Sequence, residues 1–224
     1  MQCLNSKKVK SIKIEWLGHA SFKLAGKKVI YIDPFQIPEG EPADIILITH
    51  PHHDHCSVDD VKKIVKLDTV IIAPIDCQSK IAEGKFHYAE FKNVVPGDKI
   101  SIYGYHISAV PAYNVNKHFH NKSDEWVGYV VSDGNKSIYH AGDTDFIQEM
   151  ASIKTDVAML PVGGTYTMNA REAAQATFAM KPKVAIPMHY GSIVGKPEDA
   201  EVFAKSVAHS KVQIMKKGQI IDIV

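Results

Sequence analysis

Residues 43–55 read ADIILITHPHHDH, a run apolar enough for a strand buried on both faces that passes directly into four histidines and an aspartate within the six positions His50 to His55. That junction constrains the fold more than any other stretch. A closed core would have to pair every ring nitrogen or lose about 1–3 kcal/mol for each one left unmade. The buried strand must therefore end at an opening where these side chains meet a common partner.

Other apolar runs behave alike. KKVIYID is a β-branched run that stops at Asp33, NKSIYHAGD reaches Asp143, and KVAIPMHYG reaches His189. SIKIEWL alternates and SFKLA follows it after a turn, so the first third reads as short strands. Ser57 and Asp60 form a capping-box pattern for a helix to about Leu67, after which TVIIAP returns as a strand. DKISIYGYHISAVPAYN reads as paired strands, VNKHFHNKSDE as a polar loop, and WVGYVVSDGNKSIYH as a hairpin turning at Asp133-Gly134. TDVAMLPVGG is a further buried strand, Asn169 caps a helix to about Met180, and Pro197 opens another. KVQIM and QIIDI read as a closing strand pair. KKVIYIDPF and NKSIYHAGDTD also echo one another weakly.

A length of 224 residues suits one domain, here 1–224, and no flexible or low-complexity linker divides it. Lys and Arg (26) nearly balance Asp and Glu (25), which offers no broad attraction for nucleic acid or anionic membrane. No apolar run spans a bilayer, and the polar start MQCLNSKKVKS lacks the apolar core of a signal peptide, so the cytoplasm is the expected location. Cys3, Cys56 and Cys77 do not outline a disulfide framework, and with imidazoles and carboxylates at hand Cys56 reads as an unliganded thiol.

In an extended segment His50 and His52 face one way and His53 the other, while Asp54 and His55 come where the chain turns toward the helix. This gives two sets of ligands, suited to two metals about 3.5–4 Å apart with the attacking water between them. Asp143 and His189, each at a strand end beside a small residue, are the candidates to complete them.

These residues carry a resemblance. THPHHDH resembles the T-H-x-H-x-D-H signature of the metallo-β-lactamase fold superfamily, HAGDT its later G-D-T segment and PMHYG its final histidine segment. With WLGHASF and LPVGGTYTM in the same order, the chain is similar to the UlaG-like branch of metal-dependent hydrolases over nearly its whole length. The resemblance implies an α+β fold, the four-layer αβ/βα sandwich, with metals at one edge between the sheets. It implies His50 and His52 on a first metal, Asp54, His55 and His189 on a second, and Asp143 bridging. Where relatives place a third histidine for the first metal this chain has Asn114, and either His118 or His120 can reach back; FHNK favours His120.

The set is open and carries carboxylates, unlike the closed, cysteine-rich sites of structural zinc. His53 points away and is expected to support or face solvent. Besides Asp54, which would bind metal and orient the attacking water, the catalytic candidates are His19 of LGHASF, either packed under the site or facing substrate, and His140, either orienting a ligand or facing substrate. Gly163 and Gly164 suggest either backbone N–H groups offered to an anionic substrate or, the leading reading, a tight turn, and Tyr190 either an oxyanion donor or aromatic packing.

The leading expectation is a hydrolase acting on a small-molecule ester, lactone, amide or phosphodiester through two divalent ions, Zn first, with Mn, Fe, Ni and Co also suited to such ligands. The alternatives are a nuclease of the same superfamily, which the charge balance disfavours, and a metal-binding regulator or diiron redox protein. Self-association stays open.

Overall fold

The computed structural model describes residues 12–223, so Cys3 and the polar N-terminal segment lie outside the described residues. Fourteen strands among the described residues form two sheets of seven. The first is laid down by β1 (Ile12–Gly18), β2 (Ser21–Ala25), β3 (Val29–Ile32), β4 (Ile45–Leu47), β5 (Val70–Ala73) and β6 (Glu90–Asn93). The second comprises β7 (Lys99–Ile102), β8 (Tyr105–Pro111), β9 (Val127–Ser132), β10 (Ser137–His140), β11 (Val157–Pro161), β12 (Val184–Met188) and β13 (Lys211–Val212). The last strand, β14 (Ile220–Ile223), returns to the first sheet beside β1.

The two sheets repeat one pattern. In spatial order β14-β1-β2-β3 is antiparallel and β3-β4-β5-β6 parallel; β7-β8-β9-β10 is antiparallel and β10-β11-β12-β13 parallel. β3 and β10, the strands of the faint sequence echo, thus hold the same position at the switch from antiparallel to parallel. Ligand sites in sheets of this kind gather outside the carboxyl ends of strands near such a switch.

Burial follows the pleat. Ile45 and Leu47 of β4 join the core between the sheets, together with Phe22, Ile30, Tyr129 and Met159, while Ile46 points to the outer side and packs with Val61, Ile64 and Ile81. That outer layer is α1 (Val58–Ile64) and α2 (Gln78–Glu83); α3 (Ala170–Met180) and α4 (Pro197–Ser206) cover the second sheet. Helix, sheet, sheet and helix make the four layers of the metallo-β-lactamase αβ/βα sandwich. Among the described residues no helix is long and apolar enough to cross a membrane.

Three readings change. α1 stops at Ile64 rather than Leu67: Val65 is already extended, and Leu67 is 76% exposed, so nothing packs a further turn. Only half of its capping box forms. Ser57 accepts from Asp60 N, but the Asp60 carboxylate accepts Gln36 N (2.8 Å) and Ile37 N (3.1 Å) from the loop after β3. The closing strands do not pair with each other, because β13 adds to β12 and β14 to β1. α2 and β6 were not legible, being short and largely polar or half-exposed.

Candidate metal centre

The histidine loop is pinned from below before any ligand is considered. Asp33, fully buried with φ +46, follows β3 and its carboxylate accepts Thr49 N (2.8 Å), Thr49 Oγ1 (2.7 Å) and His55 Nδ1 (2.7 Å). Since Thr49 Oγ1 spends its hydrogen on Asp33, its oxygen accepts His50 Nδ1 at 2.9 Å. Both histidines therefore carry the Nδ1 hydrogen and turn Nε2 into the site, directly for His55 and through Thr49 for His50. The second sheet braces the same loop. Tyr129 Oη donates to Ile48 O at 2.8 Å and Val127 N to Thr49 O at 3.2 Å. Gly142, at φ +64, leaves space that a side chain would take from Thr49. From the outer layer Lys80 of α2 donates to Pro51 O.

Three groups of donor atoms result, each lying within 4.8 Å of one another: His50, His52 and His120; Asp54, His55 and His189 with His19; and His50, His55 and Asp143 between them. His50 Nε2 faces His52 Nδ1 at 3.0 Å. Asp143 reaches toward both sides, with Oδ1 3.3 Å from His55 Nε2 and Oδ2 3.4 Å from His120 Nε2 and 3.1 Å from His189 Nε2. All seven metal-ligand candidates from the sequence, His50, His52, Asp54, His55, His120, Asp143 and His189, are thus brought together.

The choice between His118 and His120 has a structural reason. His120 is buried and His118 exposed, because Asn114 Oδ1 accepts both His120 N and His120 Nδ1 at 3.1 Å and turns Nε2 inward. Asn114 is in turn held by Asp145, which accepts Asn114 Nδ2 (3.2 Å), Val115 N (2.9 Å) and the Lys117 ammonium. Asp33, Asn114 and Asp145 were not picked as site residues. Asp33 carries a signal as the polar end of a β-branched run, and Asn114 stands where the resemblance expects a histidine.

Metal ions fit these donors. His55 Nε2, His120 Nε2, His189 Nε2 and Asp143 Oδ1 are buried and have no hydrogen-bond partner, a set of orphaned atoms too costly to tolerate without an occupant. Electrostatics divides them. Burial lowers the proton affinity of His50 well below the ordinary imidazole value, lowers that of His52, and takes His120 down to about 4. Burial pushes the same way at His55 and His189, but Asp143 and, for His55, Asp33 hold both above it. Against the opposite push of burial, His189 and His55 hold Asp143 well below the carboxylate range, and His189 and His19 help do so for Asp54.

The remaining candidates separate. His19, in a turn at φ +50, donates Nε2 to Asp54 Oδ2 at 2.9 Å, so it orients that carboxylate from beside the centre. His140 does not face substrate. Its Nε2 donates to Ala20 O (2.8 Å) in the turn after β1 and its Nδ1 accepts Gly142 N (3.2 Å) just before Asp143, which commits both nitrogens to backbone groups. His53 is exposed. Gly164 N donates to Met168 O in a turn, and Tyr190 stacks on Trp16 with centroids 5.5 Å apart, so the turn and aromatic packing prevail. A pocket of about 320 Å³ opens over His52, Asp54, His120 and Asp143. Phe119, Tyr166 and Ile193 form its apolar rim.

Similarity to known proteins gives the chain's family. Residues 13–189 match the family described as the beta-lactamase superfamily domain, and the chain belongs to that family. It is 35% identical over 215 residues, 89% of this chain and 93% of the relative, to a UPF0173 metal-dependent hydrolase of Thermoplasma acidophilum. A UPF0173 metal-dependent hydrolase of Pyrococcus abyssi is also 35% identical, over 95% of this chain and all of its own. A crystal structure from Parabacteroides distasonis superposes with a TM-score of 0.82 at 33% identity, covering 94% of both chains.

Proposed function

We propose that the chain is a metal-dependent hydrolase that acts on a small-molecule ester, lactone, amide or phosphodiester. His50, His52 and His120 would hold one divalent ion, Asp54, His55 and His189 a second, and Asp143 would serve both. The observation that carries this reading is the gathering of buried, partnerless donor atoms into adjoining groups at the floor of a pocket. When bound, the ions supply Lewis acidity and bring the pKa of water toward neutrality. Zinc suits the imidazole and carboxylate set, as do Mn, Fe, Ni and Co.

The protein's own residues do the positioning. Asp33 and Thr49 fix the ring nitrogens of His55 and His50, Asn114 fixes that of His120, and His19 fixes Asp54. His140 ties the Asp143 loop to Ala20. A pocket of about 320 Å³ suits a small molecule, and the apolar rim of Phe119, Tyr166 and Ile193 suits an uncharged part of it. The near balance of charge favours such a substrate over nucleic acid, and a cytoplasmic location accompanies it.

The test is metal content per chain in the purified protein, read with turnover of generic ester and phosphodiester substrates before and after chelation. Near two ions per chain and turnover that returns with added metal is the expected result. One ion or none after metal supplementation, with no hydrolysis, would overturn it and favour a metal-binding regulator.

A further inference from the structure

β1 ends at Gly18, whose φ of +109 leads into the His19 turn, and the C-terminal segment is fastened to this end. Gly218 N donates to Trp16 O at 2.7 Å and Trp16 N to Gln219 O at 3.2 Å, while Gln219 Oε1 accepts Lys216 N at 2.9 Å. The turn so formed lays the Lys217 stem across Gly18, 3.3 Å from where a Cβ would stand, and Lys217 Nζ donates to Gln36 O at 3.2 Å. A side chain at position 18 would push the lysine aside. The glycine is thus explained by the lysine it seats as well as by its own φ.

Beside that ammonium lies a second pocket, of about 280 Å³, walled by Trp16, His19, Phe35, Tyr190, Ser192 and Lys217. It backs onto the pocket over the metal centre across a thin partition. His19 of one touches Asp54 of the other at 2.9 Å, the rings of Phe35 and His53 are 5.9 Å apart, and Ser192 adjoins Ile193. No acidic residue lines this pocket, and among the described residues no carboxylate lies within 4 Å of Lys217 Nζ. An ammonium has three hydrogens, and a single backbone carbonyl occupies one of them. The Trp16 and Tyr190 rings, stacked on one another, both line the pocket and make one side of it apolar. His19 spends Nε2 on Asp54 and leaves Nδ1 buried without a partner on the same wall.

We infer that this pocket seats an anionic group of the substrate, a carboxylate or a phosphate, against Lys217, with its organic body along Trp16 and Tyr190. The inference extends the hydrolase reading: the substrate spans the partition, its uncharged part within the Phe119, Tyr166 and Ile193 rim and its charged part beyond His19.

Two arms test it on the full-length protein. In the first, benzoate, phenyl phosphate and neutral benzamide are titrated by calorimetry, with Trp16 fluorescence as a second signal that Trp16→Phe removes. Lys217→Ala is expected to weaken binding of the favoured anion about threefold to tenfold and Lys217→Glu more than tenfold, while Lys217→Arg and benzamide binding stay near wild type. The stronger of benzoate and phenyl phosphate names the anion. In the second arm, kcat/KM for para-nitrophenyl acetate is compared with that for its ortho-carboxylate analogue; wild type prefers the charged ester and Lys217→Glu loses the preference. Anion affinity equal in wild type and Lys217→Glu, or absent in both at millimolar concentration, overturns the pocket. Lys217-dependent binding without any hydrolysis keeps the pocket and sinks the hydrolase reading. Hydrolysis blind to charge in both proteins does the reverse.

Discussion

Of the segments that bring ligands to the candidate centre, the loops after β4 and after β8 are each held by one buried carboxylate, in different ways. Asp33 grips the loop after β4 directly, bonding His55 itself and reaching His50 through the single hydroxyl of Thr49. Asp145 grips the loop after β8 at one remove: it binds Asn114, Val115 and Lys117, and only Asn114 touches His120. Asp33 is fully buried among strands, whereas the residues around Asn114 include the exposed Val115, Asn116 and Phe119. The difference teaches that one side of the centre is built into a sheet and the other is carried on a strap. The ion held through His120 should be the more easily lost.

The most damaging change is one that spares neither side. Asp143→Ala removes the carboxylate between the groups and leaves His55, His120 and His189 without their common neighbour. Metal content should fall below one ion per chain, and turnover by about 10³-fold or more, as measured by elemental analysis and steady-state kinetics. Next is Asp33→Ala. It strips hydrogen bonds from Thr49 and His55 together, so metal affinity should drop about 10–100-fold. The metal-free protein should lose about 3 kcal/mol in denaturant melts. An Asp33→Ala protein that keeps wild-type affinity would erase the contrast between the loops.

Asn114→Ala sharpens the contrast instead. It frees only His120, so one ion per chain should become about 10-fold easier to chelate while the other is retained; loss of both ions together would mean that the loops act as one unit. Asp145→Asn, a step further away, should show the same selectivity at a few-fold.

The smallest effect concerns Asp60, which clasps the loop from Asp33 to Ile37 from the side of α1. Burial tends to raise its pKa, but Lys63, Ser57 and the backbone N–H groups of Gln36 and Ile37 bring it below the ordinary value. A lowered folded pKa means stabilisation that is present above the unfolded value of about 3.9 and lost as pH falls through the folded one. Asp60→Asn should therefore cost about 1 kcal/mol at neutral pH, and the deficit should narrow below about pH 4 in denaturant melts of the metal-free protein. A deficit that is independent of pH would assign Asp60 a packing role.

What the sequence reveals follows the same division. Strands ending in ligands were legible because apolar runs, pleat alternation and metal-capable residues coincide in ADIILITHPHHDH and KVAIPMHYG. The strap was legible only as a polar segment, since what selects His120 over His118 is one hydrogen-bonded side chain, Asn114, whose own hold comes from a residue 31 positions later. Asp33 stood out as a strand end, yet its three bonds cross to a segment 16 to 22 positions away. The two closing strands look like partners in sequence and serve different sheets, a choice that edge vacancies make and local pattern does not.

That last arrangement bears on how the chain is made. A nascent polypeptide emerging from the ribosome presents His50 to His55 early, but their partners in the Asp143 loop and just after β12 follow some ninety or more residues later, and β14 reaches the edge of the first sheet later still. Through most of synthesis the β1 edge stands open, a template for the wrong neighbour. Its proper partner is a four-residue strand tethered just beyond Lys217.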